Sequence, residues 1–253
     1  MKIFNLKYIK IVAKSRFKQI LNVLPLLRYK QYTPFLILGH PRTGTTLLHT
    51  YLNSHLNILS LNEPLAYTND GEALLHAYSR LIKVVGFKYF YEYILNDAKK
   101  ASLIQLLTDY KIKVVHIHRH NYLRTFVSLK IAQKTNEWSS VDANGLEIKQ
   151  KQLSLTKEEC EVAFTNYLKI EKEVQELLQK FNVPVCWVNY EELVKNPVDV
   201  MFEVYQFLGV RPHVPISLLK RQNPESINDL IVNYEQLKND FKGTEFQIFF
   251  EDN

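Results

Sequence analysis

The chain has 253 residues, 46% of them apolar, which is enough to close one sizeable hydrophobic core. Seven glycines, nine prolines and two cysteines exclude a collagen-like chain, a linker-rich chain and a disulfide framework, and so few cysteines fit a reducing compartment. The net charge of +6 is unevenly placed: residues 1–34 hold eight Lys or Arg and no acid, whereas the remaining 219 hold 24 bases and 26 acids, so the body is not a basic nucleic-acid binder.

Residues 1–34 therefore read as a basic N-terminal arm, and residues 35–253 as a single domain with no composition break. Within the arm Phe17, Ile20, Leu21, Leu24 and Leu27 recur at helical spacing. That predicts a helix packed on the core with a solvated basic face, with contact to an anionic membrane surface as the alternative. No apolar run approaches the ~20 residues that span a bilayer. The short apolar stretch near the start is broken by Lys10 and Lys14, and no small-residue cleavage site follows. A cytoplasmic protein, at most peripheral to a membrane, is expected.

Beyond the arm, four short apolar runs read as buried strands: residues 35–39, 57–61, 113–118 and 184–189. Helical pattern falls at residues 44–54, 71–85, 99–110, 121–134, 156–181 and 197–208. Asn121 caps one of these helices, Thr156 with Glu159 forms a capping box, and Pro197 opens the last with Gly209 at its end. Residues 136–155 and 211–228 read as irregular. The aromatics of residues 87–93 read as mostly core, with the lining of a cleft as an alternative, and Phe246 to Phe250 as a packed tail. Alternating strands and helices predict an α/β fold: a P-loop-like parallel sheet of four to five strands with helices on both faces.

The chemistry starts at Gly39-His40-Pro41-Arg42-Thr43-Gly44, between the first strand and its helix. A glycine-containing turn that feeds a helix presents several backbone N–H groups, and the helix adds the equivalent of about +0.5 charge, so this junction holds a phosphate or sulfate without a metal. The spacing of Gly39 and Gly44 is that of the nucleotide P-loop. A kinase or ATPase would carry Lys next, but the residue is Thr45, followed by Thr46, and the cation has moved into the loop as Arg42.

Pro41-Arg42-Thr43-Gly44-Thr45-Thr46 resembles the 5'-phosphosulfate loop of sulfotransferases that use 3'-phosphoadenosine 5'-phosphosulfate (PAPS), of the bacterial and tyrosylprotein-sulfotransferase-like branch. Three further segments, within about residues 35–240, carry the likeness. In Val114-Val115-His116-Ile117-His118-Arg119 and the helix after it, Arg119 and Ser128 match the pair that binds the donor's 3'-phosphate. The family's usual spacing is one residue shorter and would put His120 in place of Arg119. Trp138 fits a Thr-x-x-Trp found in bacterial relatives, and otherwise reads as a core or lid residue. Glu63, in Asn62-Glu63-Pro64, stands 21 positions after Arg42, where relatives carry the general base. The segment Asn189-Tyr190-Glu191-Glu192-Leu193, with Asn196-Pro197 and Phe207-Leu208-Gly209, matches a stretch whose Tyr meets the adenosine. Lys220 and Arg221 stand late in the chain, where other members carry a phosphate-binding loop that is missing here.

The resemblance implies sulfuryl transfer from PAPS, with no metal, to a hydroxyl or amine of a small-molecule, glycan or lipid-linked acceptor. Arg42, Thr43, Gly44, Thr45 and Thr46 would hold the phosphosulfate, with Arg42 stabilising charge on the leaving oxygen, and Glu63 would be the base. Arg119, Ser128, Tyr190, Lys220 and Arg221 would bind the rest of the donor. The residues add one argument of their own: the loop, Glu63, Arg119 and Tyr190 each follow a predicted strand, and ligands of open parallel sheets bind at the strands' carboxyl ends. His76 falls inside the predicted helix 71–85, and His116 and His118 point to one strand face without acidic or Cys partners at ligand spacing, so all three read as structural. A P-loop small-molecule kinase and a non-catalytic nucleotide-binding module on the same fold remain the alternatives.

Overall fold

The computed structural model describes residues 31–138 and 147–251, with residues 14, 17–18 and 28–29 of the arm. Its centre is a parallel sheet of five strands: β1 Thr33–Gly39, β2 Ile58–Leu61, β3 Val84–Phe90, β4 Lys113–His118 and β5 Val185–Asn189, in the order β2-β3-β1-β4-β5. Six helices frame it: α1 Thr45–Asn53, α2 Asp97–Asp109, α3 Tyr122–Thr135, α4 Lys157–Lys180, α5 Tyr190–Lys195 and α6 Pro197–Leu208.

The two-residue period of the strands sorts the core into layers. Phe35, Ile37, Val115, Ile117 and Val188 face α1, α5 and α6, where they meet Leu48, Leu52, Leu193, Met201 and Val204. Leu36, Leu38, Phe87, Tyr89 and Val114 face α2 and α4, against Leu103, Leu106, Ile170 and Val174. A third cluster joins Leu123, Phe126, Val127 and Ile131 of α3 to Phe164 of α4 and to Phe241, Phe246 and Phe250, so the C-terminal aromatics are packed as expected. The Asn121 cap and the Thr156–Glu159 capping box are both formed.

The helix expected over residues 71–85 does not form. Glu72–Leu74 is one 3-10 turn, Tyr78–Ser79 pairs antiparallel with Arg28–Tyr29, and Val84 begins β3. The apolar residues of this interval recur at helical spacing, but β3 lies between β1 and β2 and bonds to both. Two ladders outweigh a local period, and the β-branched and aromatic residues of β3 suit a strand buried on both faces. Gly86 shows how close the fit is: a Cβ there would lie 2.1 Å from the Phe35 carbonyl oxygen. His76 therefore lies outside any helix, exposed, with its ring against Tyr78. Cys186 is half-buried on the edge strand β5.

The arm also departs from its amphipathic reading. Phe17 is exposed and Lys18 buried. The Lys18 ammonium donates to the carbonyls of Asn53 (2.9 Å) and Ile58, and Lys14 donates to that of Ser54 (2.9 Å). Asn53 and Ser54 are at the C-terminal, negative end of the α1 dipole, which attracts cations. Ile20, Leu21, Leu24 and Leu27 lie outside the described residues. No helix among the described residues is long and apolar enough to cross a membrane.

Burial, and then the charge of Lys14, push Lys18 down to about 7. Between that value and the ordinary lysine value the unfolded chain binds a proton that the folded chain lacks. This contribution to stability therefore grows as pH rises from about 7 toward 10.5. Lys18→Met should flatten that rise, seen as a wild-type-minus-variant difference in Tm that increases with pH over this window.

Candidate active site at the carboxyl edge of the sheet

The loop from β1 to α1 is shaped by two left-handed residues. Gly44, at the α1 N-cap, has φ +95°, and a Cβ there would lie 2.4 Å from Cδ2 of Tyr190. Glycine is required both by conformation and by the ring packed on it. Arg42 has φ +69°, a conformation that costs a non-glycine residue about 1–3 kcal/mol. Its side chain is tied on three sides: Nε donates to Ser128 Oγ (3.0 Å), Nη1 to the Trp138 carbonyl (2.6 Å) and Nη2 to Gln222 Oε1. Thr43 donates to the His40 carbonyl (2.7 Å) and is buried. The first turn of α1 has no side-chain cap and no acid, so its N–H groups stay open to an anion.

Beside the loop lies a cavity of about 280 Å³. Arg42, Gly44, Thr45, Thr46, Arg119, Ser128, Tyr190, Lys220 and Arg221 all line it, so nine of the residues singled out from the sequence converge on one space. Arg124 lines it too, one helical turn before Ser128; it donates to the carbonyls of Asn223 (3.0 Å) and Glu225 (2.6 Å) and fastens segment 219–225. Trp138 is half-exposed at the cavity wall and is neither a core residue nor covered.

The electrostatics of the cavity are one-sided. Burial holds Arg42, Arg119 and Arg124 below the ordinary arginine range, Arg124 at about 10, and for Arg119 and Arg124 the neighbouring guanidiniums add to it against the opposing Tyr190. Arg119 lies over the Tyr190 ring, 4.5 Å from its centroid. Its Nε is buried without a hydrogen-bond partner, and the Glu191 carboxylate is 3.9 Å away, too far to accept from it. Clustered, partly desolvated cations with an unmatched donor suit an anion at this wall of the cavity. His120 is exposed and meets the ring of His118 instead.

Glu63 stands outside this cavity, at the carboxyl end of β2. It is reached through a residue that the sequence reading misses. Lys88, on β3, is buried, and its ammonium donates to Glu63 Oε1 (2.6 Å) and to Thr46 Oγ1 (3.1 Å). Burial lowers the Lys88 pKa, and its bond to Glu63 opposes the shift. A signal is present: one lysine inside the apolar and aromatic run of residues 84–90, where only a paired charge is tolerated. Below the loop, His40 contacts Glu92 (2.9 Å) and the Tyr167 carbonyl (3.3 Å), and His116 bonds to the Tyr91 hydroxyl, which ties β1, β3 and β4 together. Burial, then His118 and His40, push His116 down to about 3, so it is neutral there.

Residues 32–229 match the sulfotransferase domain family. With most of the chain covered, the protein belongs to that family and is a sulfotransferase. Among curated proteins it is similar to Nodulation protein H of Rhizobium tropici, 27% identical over 242 residues, which cover 86% of this chain and 93% of that one. Nodulation protein H of Rhizobium meliloti (strain 1021) is likewise 27% identical, covering 86% and 95%. Among solved structures, a sulfotransferase from Alicyclobacillus acidocaldarius aligns with a TM-score of 0.48 at 20% identity, covering 83% of this chain and 91% of that one. The sulfotransferase domain from the curacin biosynthetic pathway aligns at 0.43 and 17%, covering 80% and 83%.

Proposed function

We propose that the donor is PAPS and that the sulfuryl group passes to a hydroxyl or amine of a small-molecule, glycan or lipid-linked acceptor. The observation that carries this reading is the cavity with five cationic side chains, Arg42, Arg119, Arg124, Lys220 and Arg221, next to an uncapped helix N-terminus. A ligand with two separated anionic groups and a purine suits it. The N–H groups of the loop, with Thr45 and Thr46, bind the 5'-phosphosulfate end. Arg119 and Ser128 take the 3'-phosphate, with Lys220 and Arg221 beside them, and Tyr190 meets the adenosine. Arg42 spans from the loop to Ser128 and so serves both ends. Arg119 suits this work better than His120, because it faces the cavity with an unmatched donor.

At the transfer centre Glu63 takes the proton of the acceptor as its oxygen or nitrogen bonds to sulfur. The bond from sulfur to the bridging oxygen breaks, and adenosine 3',5'-bisphosphate leaves. Lys88, between Thr46 and Glu63, offsets charge on the moving sulfuryl group and keeps Glu63 in place. Thr45 in the position of the P-loop lysine speaks against the kinase alternative.

The reading is tested with ³⁵S-labelled PAPS and a panel of saccharide, lipid-linked and phenolic acceptors, alongside binding of adenosine 3',5'-bisphosphate. Label should move to at least one acceptor without added metal. Arg119→Ala should weaken bisphosphate binding by about 10–100-fold, the loss of a charge-assisted contact. Tight bisphosphate binding with no transfer to any acceptor would instead favour a binding module, and ATP turnover with magnesium a kinase.

A further inference from the structure

The loop from β1 to α1 is also held from the side away from its cavity. His40 is the first residue after β1 and continues the two-residue period of that strand, so it falls on the face of Leu36 and Leu38, toward α4. α1 packs on the other face, against Phe35 and Ile37. The His40 imidazole is 2% exposed and lies between Tyr91 and Tyr167, with 4.6 Å from its centre to the centre of each ring. Its Nδ1 is 2.9 Å from Glu92 Oε1, and its Nε2 is 3.3 Å from the Tyr167 carbonyl oxygen.

Both partners accept hydrogen bonds, and neither an ionised carboxylate nor a carbonyl can donate one. A neutral imidazole has one N–H and would set a bare lone pair against the second acceptor. An imidazolium has two N–H groups and satisfies both. His116 is the contrast: its Nε2 meets the Tyr91 hydroxyl, which can donate, so a neutral ring suffices there. Glu92 has a matching need. It stands on the 3-10 turn Tyr91–Leu95, and its Oε2 is buried without a hydrogen-bond partner, so the carboxylate relies on the group at Oε1. Two tyrosine rings at 4.6 Å also suit a cation.

What this pair holds is the loop. The His40 carbonyl accepts from Thr43 Oγ1 (2.7 Å), and Arg42, two residues on, keeps its left-handed φ of +69°. Such a conformation persists only where the surroundings fix it. The Tyr190 ring packed on Gly44 fixes one end of the turn, and the buried imidazole fixes the other. The Cα atoms of His40 and Arg42 are no more than about 7.6 Å apart, two peptide steps. At that range salt screens a buried charge little.

We propose that His40 is an imidazolium paired with Glu92, a positioning residue that clamps the anion-binding loop from beneath and keeps its underside electrically neutral. Neither residue is part of the cavity wall, so the effect reaches the donor through the loop backbone and through charge. The proposal rests on the loop being the site of the donor's 5'-phosphosulfate, but the protonation of the ring is read without any ligand.

The first test is ¹⁵N NMR of the His40 ring in the full chain at neutral pH, with no ligand. Two protonated ring nitrogens are expected, and a neutral ring would overturn the proposal. The second is calorimetry of adenosine 3',5'-bisphosphate binding to wild type, to His40→Gln and to His40→Gln with Glu92→Gln. His40→Gln leaves the Glu92 charge bare beneath the loop and should weaken binding about tenfold, an ordinary coupling between two sites. The double variant removes that charge and should recover most of the loss. A role in packing alone predicts the reverse: a double variant that binds no better than the single one would overturn the charged clamp. If His40→Gln does not fold, the ring spectrum still decides. A wild-type chain that does not bind the bisphosphate counts against PAPS as donor, and again leaves the spectrum to decide the pair.

Discussion

Glu63→Gln should lower the rate of sulfuryl transfer by about 10²–10⁴-fold, the usual contribution of a general base. Glutamine keeps the shape of the side chain, and its carbonyl oxygen can still accept from Lys88, but it cannot take the acceptor's proton. Binding of adenosine 3',5'-bisphosphate should not change, because Glu63 stands outside the cationic cavity. Single-turnover transfer from labelled PAPS measures the first effect and calorimetry the second. Turnover close to wild type would remove Glu63 from the role of base.

The variant carries a second, subtler signature. Burial lowers the Lys88 pKa, and Glu63 opposes that shift. With the carboxylate gone, Lys88 loses its proton at a lower pH. A rate that needs the ammonium falls as pH rises through the Lys88 pKa, so the alkaline limb of the residual activity should begin earlier in Glu63→Gln than in wild type. An unmoved alkaline limb would separate Lys88 from the chemistry.

Lys88→Met should cost about 10²–10³-fold in kcat, the scale for removing one group aimed at developing charge. Methionine fills most of the same space, so the test isolates the ammonium beside Thr46. Bisphosphate affinity should fall far less than kcat, since the bisphosphate has no sulfuryl group for Lys88 to meet. Stability should hold or rise. The variant no longer buries a charge, and Glu63, about one-third exposed, can turn to water. A loss of kcat that tracks a loss of thermal stability would mark Lys88 as structural only.

Much of the donor-facing site is legible in the amino-acid order. The loop from Pro41 to Thr46 has a local shape that its residues impose, and Tyr190 and Arg119 can be placed because each follows a strand with a clear apolar run. Four of the five strands read correctly for the same reason: short buried runs bounded by turn or capping residues are local patterns. The strand that does not read, Val84–Phe90, is the one whose neighbours on both sides come from distant parts of the chain, and its apolar residues continue a helical period from residue 71. Lys88 is missed along with it, since a lysine in a misread segment looks like a solvated charge.

The chain sequence by itself determined the α/β order, the anion-binding loop without a kinase lysine, and the placing of the loop, Glu63, Arg119 and Tyr190 at the carboxyl ends of strands. Tertiary structure alone decided the rest. It put Lys88 between Thr46 and Glu63, turned Arg42 toward Ser128 and Gln222, and brought Lys220 and Arg221 to the cavity wall. These are contacts between residues 25 to 180 positions apart. Strand pairing and burial set such distances, and no local period records them.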